Sequence, residues 1–174
     1  MLFGSRVSGF FGSLKGGSAI SGNPCGSFYD NTIQTATLAN TAYAMKLGQT
    51  DSTATNLISV VSGSRITVTQ SGIYNIQFSA QFQRLSGGTT ETIDIWLRKN
   101  DNTGDVANTN SHVSVQANEV YILPAWNFFI YLQANDFVEL MWATTSTAIK
   151  LQYDVATALH PATPSVIATI NRVS

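Results

Sequence analysis

The most regular alternation of apolar and polar residues in the chain lies between residues 72 and 84. Successive side chains of a β-strand point to opposite faces of the sheet, so a period of two predicts a strand. We expect one face of this strand to lie in a core and the other to meet water. The apolar positions are Tyr74, Ile76, Phe78, Ala80 and Phe82, and they alternate with Asn75, Gln77, Ser79, Gln81 and Gln83.

A second pattern, between residues 120 and 143, consists of two apolar runs of strand length separated by a turn at residues 133–136. Both faces of the first run are apolar, whereas an antiparallel strand normally turns one face to water. Because the chain has no amphipathic helix to cover the second face, we expect another copy of the chain to cover it. The face expected in the core carries Trp126, Phe128, Ile130 and Leu132, and the face expected in the interface between copies carries Asn127, Phe129 and Tyr131 beside Ala125.

Short strand signals, separated by Gly, Asn, Asp and Ser, fill the rest of the chain from residue 26 onward. No segment holds a helical apolar stripe over three turns. About ten short strands predict an all-β, antiparallel jelly-roll sandwich that spans residues 26–174. The further segments predicted to be strands are 26–36, 43–47, 57–61, 66–69, 91–99, 106–116, 137–143, 149–155 and 166–173.

Residues 1–25 have a different composition, because they hold six of the 13 glycines. Apolar side chains lie between these glycines, which a flexible Gly/Ser linker would lack. We interpret the segment as an extended arm without its own core that anchors the protein on a partner; the alternative is an arm folded back on its own domain. The expected anchoring residues are Phe3, Phe10, Phe11 and Leu14.

Composition excludes several classes of function. Charged residues make up 11% of the chain, against about 25% in an ordinary soluble domain. The net charge of −1 and the lack of a Lys/Arg cluster argue against nucleic-acid binding. No apolar run reaches the roughly 20 residues of a bilayer span, and no signal-peptide core is present, so we expect no membrane partner and assembly in a cytoplasm. The single cysteine, Cys25, excludes an intrachain disulfide.

Candidate chemistry is sparse, so we predict no catalytic residues, no metal and no cofactor. His112 and His160 lie in different segments without carboxylate or cysteine ligands at suitable spacing. Two alternatives remain open. Asp101, Asn102 and Asp105 are either calcium ligands or turn residues. Trp96, which shares a strand face with Asp94 and Arg98, is either buried in a subunit interface or a contact for a partner or glycan.

Several segments resemble the tumour-necrosis-factor and complement-globular-head superfamily. Residues 72–78 resemble its G-x-Y-x-I/F-x-F strand, and residues 132–140 resemble its L-x-A-G-D-x-V-x-L element, with Asn135 in the place of glycine. Asn also tolerates the left-handed backbone that this turn requires. Residues 95–100, 125–128 and 138–142 look like the versions of this jelly roll in tailed-phage, especially cyanophage, structural proteins. The resemblance implies a compact homotrimer with the two-sided apolar strand at the threefold axis.

We therefore expect a phage virion protein: a trimeric capsid decoration or cement protein anchored by its arm on the major capsid protein or another virion protein. The alternative is the receptor- or glycan-binding head of a tail fibre or spike. A hydrolase on the same scaffold ranks third, since Glu91, Asp94 and Glu139 fall at no recognisable spacing. Capsid decoration ranks first because no coiled-coil heptad precedes the jelly roll. An arm of about 25 residues also spans at most roughly 85 Å.

Overall fold

The computed structural model describes residues 22–86, 88–100, 103–118 and 120–174. Within these residues the chain forms fifteen β-strands and no helix, so none of them belongs to a helix that could cross a membrane. The strands are β1 (Cys25–Asp30), β2 (Gln34–Thr35), β3 (Tyr43–Ala44), β4 (Gln49–Thr50), β5 (Ile58–Val61), β6 (Arg65–Val68), β7 (Gly72–Ala80), β8 (Phe82–Arg84), β9 (Glu91–Lys99), β10 (Ser111–Val115), β11 (Tyr121–Ile122), β12 (Ala125–Leu132), β13 (Phe137–Thr144), β14 (Ile149–Leu151) and β15 (Val166–Arg172).

All strand pairs are antiparallel, and the strands form two packed layers. One layer contains a five-stranded sheet in the order β12-β7-β15-β1-β4. A four-stranded sheet, β11-β8-β14-β2, continues this layer, because only Gln81 separates β7 from β8 and two residues separate β11 from β12. The other layer is a six-stranded sheet in the order β10-β9-β13-β6-β5, with β3 paired to β13. The prediction of an all-β antiparallel sandwich is confirmed.

One hydrophobic core lies between the layers. The alternating pattern of β7 buries Tyr74 and Ile76 completely, and β9 opposes them with side chains that are equally buried, such as Ile95. Trp142 of β13 is 1% exposed, and its ring lies 5.4 Å from that of Phe82. Burying an aromatic ring of this kind stabilises the fold by roughly 1.5–3 kcal/mol.

Several predicted strands agree with the observed ones, but the strand predicted at 26–36 is interrupted between Asp30 and Gln34, and the one predicted at 149–155 ends at Leu151. Residues 91–99 form β9 over their full length, and residues 72–84 form β7 and β8. Among the described residues, eleven strands have three or more residues, close to the predicted number of about ten, and four have two. The pairing of β4 with β1 was not predicted, because β4 consists of two polar residues and shows no alternation of apolar and polar positions.

The strand predicted at residues 106–116 begins only at Ser111. The backbone amide of Leu97 donates to the Thr109 hydroxyl (3.1 Å), so a side chain replaces the backbone partner that a continuous ladder needs. Asn108 has a φ of 64°, which also takes the chain out of the extended conformation. Residues 107–110 therefore leave the ladder, although Asp105 still forms an isolated antiparallel bridge with Arg98.

The turn between β12 and β13 is fixed by Asn135 and Asp136. Asn135 has a φ of 71°, as predicted for a residue in the place of glycine. Asp136 accepts hydrogen bonds from the Gln133 amide and the Asn100 side chain, both at 2.7 Å, and its carboxylate lies 2.7 Å from the Lys99 ammonium group. These contacts hold the end of β12 against β9 and so orient the edge of the five-stranded sheet.

Candidate assembly surface

The inner face of β12 packs in the core, as the sequence pattern predicted. Leu132 and Phe128 are buried, and Trp126 and Ile130 are half-buried against the core. The Phe78 ring meets the Trp126 ring edge-on at 4.8 Å. Because these side chains pack in the core, the opposite face of β12 is turned toward the outside of the sandwich.

The outer face of β12 carries large side chains that no described residue covers. Phe129 is 66% exposed and Tyr131 is 56% exposed. Asn127 lies on the same face of β12, between Ala125 and Phe129. Its side-chain amide donates to Asn75 Oδ1 at 3.0 Å. The three residues predicted to form an interface therefore share one exposed face; their role in an interface stays a prediction.

Neighbouring strands extend this face. Tyr131 lies opposite Ile73 of β7, and Phe129 lies opposite Asn75. Ile73 is exposed, as is Ile167 on β15, the next strand. We call the outward faces of β12, β7 and β15 together the assembly surface.

The assembly surface carries no charged side chain at its described positions. Moving such a surface out of water carries none of the large desolvation cost of an ionised group. Its polar groups are amides and hydroxyls, which a second protein surface satisfies by hydrogen bonds. The positions are Ile73, Asn75, Gln77, Ser79, Ala125, Asn127, Phe129, Tyr131, Ile167, Thr169 and Asn171.

The free edge of β12 adds a second feature. Among the described strands, β12 pairs only with β7 and ends its sheet. It runs for eight residues without a charge or a proline. Soluble proteins usually protect a long edge strand with charges, prolines or bulges, because an unprotected apolar edge pairs or packs with other chains. The edge and the outer face of β12 therefore both favour contact with another chain.

The predicted arm residues Phe3, Phe10, Phe11 and Leu14 lie outside the described residues. Where the described chain begins, it is bound to the five-stranded sheet. The Asn23 side chain donates to the Arg172 carbonyl oxygen (2.7 Å), and the Arg172 amide donates to the Pro24 carbonyl oxygen (2.9 Å). Asn23 and Pro24 are thus held beside the end of β15.

The two histidines lie apart and have separate partners. His112 Nδ1 is 2.6 Å from Asp94 Oδ1, and His160 Nδ1 is 2.8 Å from the carbonyl oxygen of the next residue. In the described ranges no group of three or more His, Cys, Asp or Glu side chains is placed to hold a metal ion. Two residues of the calcium alternative, Asp101 and Asn102, lie outside those ranges.

The carboxylates considered for catalysis do not come together as a pair. Glu91 accepts a hydrogen bond from the Thr145 hydroxyl, and buried Glu139 accepts one from the Ser64 hydroxyl, both at 2.6 Å. Each carboxylate is thus engaged in holding neighbouring segments together. Sequence reasoning did not find a groove beside Trp96, because the loop that forms its wall could not be placed from the sequence.

Comparison with known proteins supports the fold. A comparison with protein-family models finds no match, and a comparison with curated proteins also finds none. Among solved structures, the chain is similar to Eiger TNF from S. frugiperda, with a TM-score of 0.60 and 10% sequence identity over 87% of this chain and 93% of that one. Similarity at this identity shows the fold alone. The chain therefore has a TNF-like jelly-roll fold.

Proposed function

We propose that the chain is a homotrimeric structural protein of a phage virion and that it assembles through the assembly surface. The observation that carries the proposal is the exposure of Phe129 and Tyr131 on an uncharged edge strand. Contiguous exposed apolar groups mark sites of protein contact. A second copy of the chain offers the same neutral, aromatic chemistry, so the surface is complementary to itself.

We infer three copies rather than two from the sequence resemblance. In a cyclic trimer each copy contacts two neighbours, so the three β12 strands lie around one axis. The sequence resemblance implies the same arrangement around a threefold axis. The TNF-like fold is compatible with it, since the five-stranded sheet presents β12 at its border.

The virion location rests on the phage-type segments at residues 95–100, 125–128 and 138–142, which belong to β9, β12 and β13. A surface with few charges suits contacts that are repeated many times over a particle, where avidity multiplies weak affinities. The partner in this proposal is the major capsid protein or another virion protein. The arm supplies the anchor through its aromatic residues, and the chain has no catalytic role.

Two measurements test the proposal. Light scattering on the purified chain gives a trimer mass if the assembly surface functions as proposed, whereas a monodisperse monomer at micromolar concentration contradicts it. Quantitative mass spectrometry of purified virions then gives the copy number. Tens to hundreds of trimers per particle support capsid decoration.

A second candidate function is a receptor- or glycan-binding head on a tail fibre or spike. The observation that favours it is an open groove beside Trp96 on the layer opposite the assembly surface. A handful of copies located at the tail would support this function over capsid decoration. The absence of the chain from virions would reject both.

A further inference from the structure

A groove of about 470 Å³ lies on the outer face of the six-stranded sheet. Its floor is formed by β9 and β10, where Asp94 lies directly opposite His112. Residues 105–110, which precede β10, form its wall and bring Asp105 and Asn110 beside Trp96. The volume falls in the range of about 300–1,000 Å³ that is typical of small-molecule sites.

The wall of the groove is held by hydrogen bonds to β9. The Lys99 amide donates to the Gly104 carbonyl oxygen and the Val106 amide donates to the Leu97 carbonyl oxygen, both at 2.8 Å. The Thr109 hydroxyl donates to the Val106 carbonyl oxygen at 2.7 Å. Because the loop is tied to the strand at several points, the polar groups of the groove are positioned before any ligand arrives.

Two carboxylates line the groove, and each is oriented through one of its oxygens. Asp105 Oδ1 accepts from Trp96 Nε1 and from Arg98 Nε, both at 2.8 Å. Asp94 Oδ1 accepts from the Asn110 amide at 3.0 Å and lies 2.6 Å from His112 Nδ1. The second oxygen of each carboxylate has no hydrogen-bond partner among the described residues, so both carboxylates retain acceptor capacity.

Each carboxylate of the groove already has a basic side chain as a partner. Arg98 already neutralises Asp105, and its hydrogen bond, followed by that of Trp96, lowers the pKa of Asp105. The Asp105 carboxylate therefore remains an acceptor at neutral pH. Hydroxyl groups of a neutral ligand can donate to the second oxygen of each carboxylate while Arg98 and His112 keep their contacts with the first.

We propose that this groove binds a neutral sugar ring that lies against Trp96 and donates hydroxyl groups to Asp94 and Asp105. An indole offers a flat apolar surface to the C–H face of a pyranose ring. The Asn110 side chain and the His112 ring add polar groups at the same border, and Ala143 leaves space on the floor. The inference does not depend on the virion role, since the groove lies on the layer opposite the assembly surface.

The indole N–H resonance of Trp96 provides a direct readout. The chain has three tryptophans; Trp142 is 1% exposed and the indole nitrogen of Trp126 is buried. The ¹⁵N-labelled full chain is titrated with the methyl pyranosides of glucose, galactose and mannose, and Trp96→Phe identifies the resonance by its loss. We expect at least one sugar to produce a saturable shift of the Trp96 signal, with a millimolar dissociation constant.

Asp94→Asn should weaken this binding about tenfold or more, because the variant loses a charged hydrogen-bond acceptor. Asp51→Asn, the same change at a half-buried carboxylate directly after β4 in the other layer, should leave binding unchanged. The titration is repeated in Phe129→Asp. Sugar binding that persists in this variant shows that the groove binds sugar whether or not the chain forms a trimer.

Three outcomes overturn the proposal. The first is the absence of a saturable shift with all three sugars. The second is an equal affinity in Asp94→Asn. The third is saturation by Nα-acetyl-lysine amide, which keeps its charged side-chain amine, but not by the sugars. This result would identify the groove as a contact for a basic peptide.

Discussion

Replacing Phe129 by aspartate should dissociate the proposed trimer while leaving the protomer folded. A phenylalanine side chain offers about 150–250 Å² for burial, and its ring is 66% exposed, so roughly 100–165 Å² remains to be covered. At about 25 cal/mol per Å² this corresponds to roughly 2.5–4 kcal/mol per protomer. Three copies give an upper limit of about 7.5–12 kcal/mol, which association entropy reduces.

The effect of Phe129→Asp on the isolated protomer should be small. The side chain projects outward beside Asn75, so the new carboxylate stays in water and the free energy of unfolding changes by no more than about 0.5 kcal/mol. In the trimer, by contrast, three carboxylates would meet near one axis, where they repel one another and lose hydration. The substitution therefore acts on assembly rather than on folding.

Light scattering at micromolar concentration measures the outcome. We expect a mass near 18.7 kDa for Phe129→Asp and about three times this value for the unmodified chain, with identical far-UV circular dichroism. Val61→Asp is the matched control, because Val61 is also a half-exposed apolar strand residue but lies on β5 in the opposite layer. A trimer that survives Phe129→Asp, or that is lost equally in Val61→Asp, would refute the assignment of the surface.

Three further predictions concern other parts of the chain. Burial raises the pKa of Asp136, but hydrogen bonds from Lys99, the Gln133 amide and Asn100 outweigh it and lower the pKa below its ordinary value of 3.8. The stability that this adds is complete above the ordinary value and is lost as the pH falls through the folded-state pKa. Asp136→Asn should therefore lower the urea midpoint at pH 7, and the difference from the unmodified chain should shrink as the pH is lowered below 3.8; a difference that does not change with pH would contradict this. Tyr74→Phe removes the hydroxyl that donates to the Gln70 carbonyl oxygen (2.7 Å) and should cost about 1 kcal/mol; an unchanged urea midpoint would contradict this. Deleting residues 1–21 preserves the contacts of Asn23 and Pro24, so the shortened chain should still form a trimer by light scattering. Its binding to virus particles should fall. Loss of folding would contradict the anchoring role.

The sequence predicted the fold well where one period dominates. The strand β7 could be predicted directly from the sequence, because from Tyr74 onward every second residue is apolar and buried while the residues between them are polar and less buried. The two-sided pattern of β12 predicted correctly which of its faces is turned outward, since Phe129 and Tyr131 alternate with core residues. These predictions depend only on the period of two, which is local.

The groove could not be predicted in the same way. Its carboxylates depend on the register between β9 and β10, and a shift of one residue would move His112 to the other face, away from Asp94. The position of Asp105 depends on an isolated bridge to Arg98, which residues 107–110 separate from the pairing of β10 with β9. No periodicity encodes either feature, so a pattern of strands at residues 91–99 and 106–116 could not reveal that Trp96 and Asp105 meet.

The two outer faces of the sandwich differ in chemistry in a way that separates their roles. The outward positions of β12, β7 and β15 are uncharged, so permanent burial there desolvates no ion. The outward positions of β9 include Asp94 and Arg98, and Arg98 pairs with Asp105, whose side chain is 52% exposed, so burial of this face would desolvate charged groups. Self-association through the first face leaves the second face pointing away from the axis, so a trimer would display three copies of the groove. Weak binding of one sugar ring at each groove would then gain strength on a surface that carries many rings, provided that all three grooves can reach it at the same time.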